Sequence, residues 1–251
     1  MYHIKKIVGC VLLLALTMGA NAQVKKGPVA KKPVVKKTAV KPVAKNPVAV
    51  AKPRIPGVRV KITTDSGIIV VRLSDLTPKH RDNFVKLVKQ GFYDSLMFHR
   101  TIRDFMIQGG DPESKTATPG AMLGNGGSDM PRIPAEITPK LYHKRGVLAA
   151  ARDGNPEKAS NASQFYIVQG KRFTDQEIDM AETQIGRKYS ITERMVYKNI
   201  GGTPWLDGNY TVFGEVESGI EVVDKIANVP GDGNNRPLGD IRMKMEILAM
   251  K

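Results

Sequence analysis

The chain of 251 residues has a single cysteine, Cys10. It falls in a segment whose pattern marks it for removal. The mature chain is therefore expected to hold no disulfide, no thiolate metal site and no cysteine nucleophile. Aromatic residues are scarce, at 6 % with a single Trp. Acidic residues are missing altogether from 1–57, a stretch that holds 12 Lys and Arg. The remainder carries 27 basic and 24 acidic side chains. The formal charge of +15 is thus a property of a tail, and no nucleic-acid partner is expected for the body. HExxH, GxSxG, the P-loop and GxGxxG are all absent, which speaks against the chemistries those motifs carry. Asp232-Gly233-Asn234 faintly suggests a calcium loop, but Arg236 follows where an oxygen ligand is wanted. We read a plain turn there and expect no metal and no cofactor. The glycosylation sequon Asn161-Ala162-Ser163 is read as coincidence.

Long apolar runs are also lacking, with one exception. Lys5 and Lys6 precede an apolar stretch from Ile7 to Ala20, and Ala20-Asn21-Ala22 follows as an A-x-A site. A charged end, a short apolar middle and small residues at the cut describe a signal peptide over 1–22. The run is short for a membrane span, which needs ~20 apolar residues. Export to the periplasm is the expectation; secretion, or anchoring through an uncleaved or lipidated N-terminus, is the alternative. Lipidation would use Cys10, but only nine residues precede it. Residues 23–57 are a loose Lys/Pro/Ala/Val repeat with Pro28, Pro33, Pro42, Pro47, Pro53 and Pro56. Each proline removes a donor and fixes φ, so this stretch reads as a disordered linker. Fully stretched it would reach on the order of 110 Å. A solvated spacer is the plain reading. Attachment to an anionic cell-envelope surface is the sharper one.

The body, 58–251, opens and closes as strands. Val58, Val60 and Ile62 alternate with Arg59, Lys61 and Thr63, and Ile69, Val71 and Leu73 resume after Asp65-Ser66-Gly67. Near the end, Ile241, Met243, Met245 and Ile247 alternate with Arg242, Lys244 and Glu246. Further strands are expected at 146–151, 163–168 and 210–216. Thr77-Pro78 starts a helix that ends near Gly91, and Ser218…Glu221 forms a capping box before Val222, Val223 and Ile226. Thr174…Glu177 and Ser190…Glu193 place two more helices at 174–184 and 191–200, an insertion between strands. Short strands joined by Gly-rich loops argue for a mostly antiparallel sheet or barrel.

The stretch from Phe98 to Asp111, FHRTIRDFMIQGGD, resembles the signature of the cyclophilin family of peptidyl-prolyl isomerases. Leu123-Gly124-Asn125-Gly126-Gly127, Gly146 to Ala151, Asn161 to Ile167 and Trp205 to Gly214 resemble further family segments in the right order. The chain is thereby identified as an exported bacterial member. The resemblance implies a mostly β fold, a closed eight-stranded antiparallel barrel capped by two α-helices, here with a small helical insertion over 171–203. It implies rotation about X–Pro bonds in proline-containing polypeptide clients, during the folding of exported proteins. By the same resemblance Arg100 is the catalytic arginine and Gln108 its brace. Phe105, Met106 and Leu206 form the proline socket, with Tyr166 at its floor and Trp205 at its rim. Tyr210, the backbone near Ala151 and Arg152, and the Gln164 side chain complete the substrate-binding set.

The chemistry suits those residue types. An X–Pro bond must cross a barrier of ~18–20 kcal/mol because amide resonance opposes rotation. A guanidinium donating to the prolyl nitrogen as it turns pyramidal stabilises the twisted state more than the planar one. No proton is moved, so His99 is expected to be structural, and His80 and His143 to face solvent or helix ends. The chain departs from the best-known pattern at Tyr166, where phenylalanine is usual, at Tyr210, where eukaryotic members carry histidine, and at Arg152, in place of asparagine. The wider Tyr166 points to a shallower pocket. The alternative function is a proline-peptide-binding module or holdase chaperone with little turnover, tethered by the tail. A monomer is expected.

Overall fold

Val60 and Ile62, both fully buried, sit on one face of β1 (Arg59–Thr64), and Arg59, Lys61 and Thr63 on the other. Asp65 and Ser66 turn the chain into β2 (Gly67–Leu73), which pairs antiparallel with Ile62 opposite Ile69. The computed structural model describes residues 57–249; the leader and, apart from Gly57, the linker lie outside the described residues. Six further strands follow: β3 (Phe98–Ile102), β4 (Met106–Gly109), β5 (Val147–Ala150), β6 (Phe165–Val168), β7 (Val212–Ser218) and β8 (Met243–Leu248). All neighbours pair antiparallel in the order β3-β4-β6-β5-β7-β2-β1-β8. The two outer strands then meet. Met97 bridges Arg242, Phe98 N donates to the Ile241 carbonyl at 2.9 Å, and Met243 N donates to that of Leu96 at 2.8 Å. The two sheet edges are thereby joined at 95–98 and 241–243, which closes the barrel there.

The barrel interior is filled by side chains such as Val60, Ile62, Ile69, Ile107, Leu148 and Phe165. One end is closed by α4 (Ile220–Ala227), at the β1–β2 turn. There Gly67 leaves no room for a side chain: a Cβ would lie 2.7 Å from Val222 Cγ2. At the other end lies α1 (Pro78–Lys89), which buries Phe84, Leu87 and Val88 and sets Phe84 edge-on to Phe213, centroids 5.4 Å apart.

The helix starts differ from the sequence reading in an instructive way. Thr77 is the N-cap of α1, but its hydroxyl makes no cap bond. Glu136 does the capping from 57 residues away: its carboxylate accepts from Lys79 N and His80 N, each at 3.0 Å. A negative charge at that helix end is favourable. The expected Ser218…Glu221 box is not formed either. Gly219 caps α4 in the left-handed region, φ 88°, and a Cβ there would lie 2.2 Å from the Ile68 carbonyl oxygen. The close pass of β2, not a side chain, sets that start. In the insertion both boxes are present, at the heads of α2 (Asp175–Ile185) and α3 (Ile191–Asn199). The pair packs through its own small core of Phe173, Ile178, Tyr189 and Tyr197. Arg194 ties Asp175, Asp179 and Glu182 together across the two helices.

Candidate active site

Strand alternation sends Arg100 to one face of β3 and His99 and Thr101 to the other. Arg100 stands opposite Gln108 on β4 in register, which brings the two side chains together. Arg100 Nη1 donates to Gln108 Oε1 at 3.3 Å, and Gln108 Nε2 donates to Gln164 Oε1 at 3.0 Å. Gln164 Nε2 reaches the carbonyls of Gly124 and Gly126, each at 2.9 Å. The brace is thus a relay of amides that ends on the Gly-rich turn. That turn is fixed in its own right: Asp111 Oδ2 accepts from Gly124 N at 2.5 Å and from Gly126 N at 3.3 Å. Arg100 is half-buried, and desolvation pulls its pKa down from the usual guanidinium value. A guanidinium remains cationic through the physiological range. Because its partner is a neutral amide, its positive charge is not cancelled.

The guanidinium stands at the lip of a cavity of about 110 Å³. That is room for a small ring. Phe105, Met106 and Leu206 line it, with Tyr166, Tyr210, Ala151 and the Arg152 side chain around them. Arg152 lies over the Tyr210 ring, 4.8 Å from its centroid, and donates to the Asn209 carbonyl. A larger cavity, about 520 Å³, adjoins the first and shares Gln108, Ala151 and Arg152 with it. An extended peptide can therefore place one ring in the socket and its preceding residues alongside.

One residue stands elsewhere than the sequence reading put it. Trp205 does not line the socket; it packs behind Phe105, centroids 5.8 Å apart, and edge-on to Phe173 of the insertion. Gln164 lines only the larger cavity, and its amide is engaged by Gln108 and the two glycine carbonyls. The Ala151 backbone is engaged as well: its N–H donates to Gln164 O and its carbonyl accepts from Asn161 N.

The histidines need one correction. His80 sits at the start of α1 as expected, though buried, with Nδ1 on Glu136 and Nε2 on Ser160. His143 does not face solvent or a helix end. It is buried at the socket floor between Asp207 and the Tyr166 hydroxyl. No local spacing announces this, since its partners come from positions 166 and 207. His99 is buried, 3 % exposed, and neither ring nitrogen finds a partner among the described residues. Burial, against the opposing charge of Asp111, pushes its pKa down to about 4. The unfolded chain takes up that proton near pH 6.5. Stability is therefore full above 6.5 and falls as pH drops towards 4, by roughly 3 kcal/mol once both states are protonated. Urea midpoints of the full chain from pH 7.5 to 4 should show this fall. His99→Leu should flatten it and cost little at pH 7.5, since no hydrogen bond is lost. A variant curve parallel to the wild type refutes the assignment.

A closed antiparallel barrel with an uncancelled guanidinium beside a small side-chain-lined socket has the layout of a binder of small rings carried on peptides. The chain belongs to the cyclophilin-type peptidyl-prolyl cis–trans isomerases: the family model described as "Cyclophilin type peptidyl-prolyl cis-trans isomerase/CLD" matches residues 59–246. A Staphylococcus haemolyticus protein named for that activity is 32 % identical over 185 residues, which cover 73 % of this chain and 87 % of that one. One from Staphylococcus aureus strain COL is 34 % identical over 185 residues, covering 73 % and 88 %. The crystal structure of a cyclophilin-type isomerase from Cryptosporidium parvum superposes with a TM-score of 0.59 at 27 % identity, over 78 % of this chain and 100 % of that one. A second structure of that enzyme, in the presence of the dipeptide Ala-Pro, gives 0.55 at 27 % identity, over 76 % and 99 %. The chain is an enzyme of this class, and the bond it turns is the one before proline.

Proposed function

We propose that Arg100 carries the catalysis, by donating to the prolyl nitrogen as the imide twists, while Phe105, Met106, Leu206 and Tyr166 hold the ring. The observation that supports this most is the Arg100–Gln108–Gln164 relay at the lip of the small cavity. Covalent chemistry is not needed. The bond has only to lose double-bond character, and a fixed cation favours the state in which the nitrogen lone pair is free. A protease-coupled assay of the full chain on a short X-Pro peptide tests the reading, with wild type beside Arg100→Ala. Equal rates would defeat it. Peptide binding without turnover in the wild type would favour a holdase or binding module instead.

The clients in this reading are exported polypeptides. The leader pattern at Lys5 to Ala22 supports export, and the acid-free basic stretch up to Gly57 supports attachment to an anionic envelope surface. Deleting 23–57 should lower envelope retention at low salt and leave little difference at high salt, where charge is screened. Unchanged retention at low salt would sink the attachment idea.

A further inference from the structure

A buried hydrogen-bond chain leads from the insertion to the socket floor. The Tyr197 hydroxyl donates to Asp207 Oδ2 at 2.5 Å. The Tyr189 hydroxyl lies 2.8 Å from the same oxygen and 2.9 Å from the Pro204 carbonyl, so its one proton is shared. Asp207 Oδ1 accepts from His143 N and faces His143 Nδ1, both at 2.7 Å. His143 Nε2 lies 2.9 Å from the Tyr166 hydroxyl. Burial works against the Asp207 charge, but the His143 and Tyr197 donors outweigh it and hold the carboxyl below its ordinary range. Asp207 is then an acceptor only. We assign the hydrogen to Nδ1 of His143, which leaves Nε2 to accept from Tyr166. Burial pushes the Tyr166 hydroxyl well above its usual value, so it stays a donor.

We propose that the α2–α3 insertion sets the orientation of the Tyr166 ring through Asp207 and His143, which makes these two positioning residues of the isomerase. The covalent layout agrees. The insertion leaves the barrel five residues after Tyr166 and returns three before Leu206, so both of its ends land on the socket. Its return is clamped to His143 itself: Thr203 N donates to the His143 carbonyl at 2.8 Å, and a Cβ on Gly202 would lie 2.2 Å from that oxygen. The His143 ring stacks on Tyr166 at 14°, and Tyr210 meets both edge-on. A phenylalanine floor would be held by packing alone. A tyrosine floor with its hydroxyl tied to His143 is held at both ends, and losing the tie would orphan a buried donor. The usual phenylalanine has given way to a residue that the insertion can hold.

The proposal rests on the isomerase reading, and its test separates the two. Tyr197→Phe keeps the ring in the insertion's core and removes only the hydroxyl. On an X-Pro peptide we expect kcat/KM to fall about 3- to 10-fold, mostly through KM, since the floor holds the ring in planar and twisted states alike. In a Tyr166→Phe background the same change should have almost no further effect. A merely structural role lowers activity by the same factor in both backgrounds, and that result, or no change in the wild-type background, overturns the proposal. Should Tyr197→Phe fail to fold, Tyr189→Phe enters the same cycle with a smaller loss expected in the same direction, since Tyr189 shares its proton with the Pro204 carbonyl. Should the wild type bind peptide without turnover, the isomerase reading falls. The cycle is then read in the peptide Kd, where a loss confined to the Tyr166 background supports the positioning role and an equal loss in both backgrounds overturns it.

Discussion

Arg100→Ala is expected to lower kcat/KM on an X-Pro peptide by about 10²- to 10³-fold, while the peptide Kd should change by no more than a few-fold. The size follows from what is removed. One preorganised donor aimed at a developing charge in a partly dry site is worth about 2.7–4 kcal/mol of barrier. The ground state gives up much less, because the planar prolyl nitrogen shares its lone pair with the carbonyl and has little to offer a donor. Half-burial raises the value of the contact: the charge is poorly screened, and the neutral amide of Gln108 at 3.3 Å orients the guanidinium without cancelling it. Arg100→Lys should recover only part of the rate, since an ammonium on a flexible stem keeps the charge and loses the planar fork. Gln108→Ala should cost less than Arg100→Ala, because the cation survives but wanders. A variant whose KM rises with kcat unchanged would mean that Arg100 binds planar and twisted states equally. That would remove it from the chemistry. The protease-coupled assay gives the rates, and peptide titration followed by NMR gives the Kd.

The barrel and the site were legible to different degrees, and the reasons are physical. Strands with one face in the core announce themselves by alternation: β1, β2 and β8 read directly from Val60, Ile62, Ile69, Met243 and Met245. β3 and β4 do not, because burial on both faces breaks the alternation: His99 and Thr101 are buried beside Phe98, and Met106 beside Ile107. Only the family signature marks that segment. The two insertion helices were legible because their caps are local, three residues apart. The starts of α1 and α4 were not, because a carboxylate 57 residues away and a passing strand decide them. In the site, Arg100 facing Gln108 is a two-strand register and could be anticipated. The commitment of Gln164 to the Gly124 and Gly126 carbonyls could not, nor the withdrawal of Trp205 behind Phe105. Both depend on where loops fold back. His143 was misplaced for the same cause. A histidine in a polar loop, His143-Lys144-Arg145, reads as surface until Asp207 and Tyr166 close over it.

Asp207→Ala should destabilise the fold by about 3–5 kcal/mol, the largest loss expected from a single side chain outside the barrel core. Asp207 is buried, and four donors converge on its two oxygens: His143 N, His143 Nδ1, Tyr189 and Tyr197. Truncation strands them together, in a place water does not reach, and an unsatisfied buried donor costs about 1–3 kcal/mol. The costs do not simply add, since Tyr189 can fall back on the Pro204 carbonyl at 2.9 Å. Asp207→Asn should lose less, because one amide oxygen still accepts. The pH sign is fixed by the lowered carboxyl. The stabilisation is present above the unfolded carboxyl value, and it is lost as pH falls through the lower folded one. The deficit of the Ala variant is therefore full at pH 7 and shrinks in strong acid. An exposed pair such as Lys61–Glu246 has no comparable leverage, since solvent-facing ion pairs contribute about 0–1 kcal/mol. Urea titration of Asp207→Ala and Lys61→Ala beside the wild type decides it. Similar midpoints for the two variants would mean that the buried carboxylate is replaceable by water. The insertion would then be held to the barrel by Phe173, Trp205 and their neighbours alone.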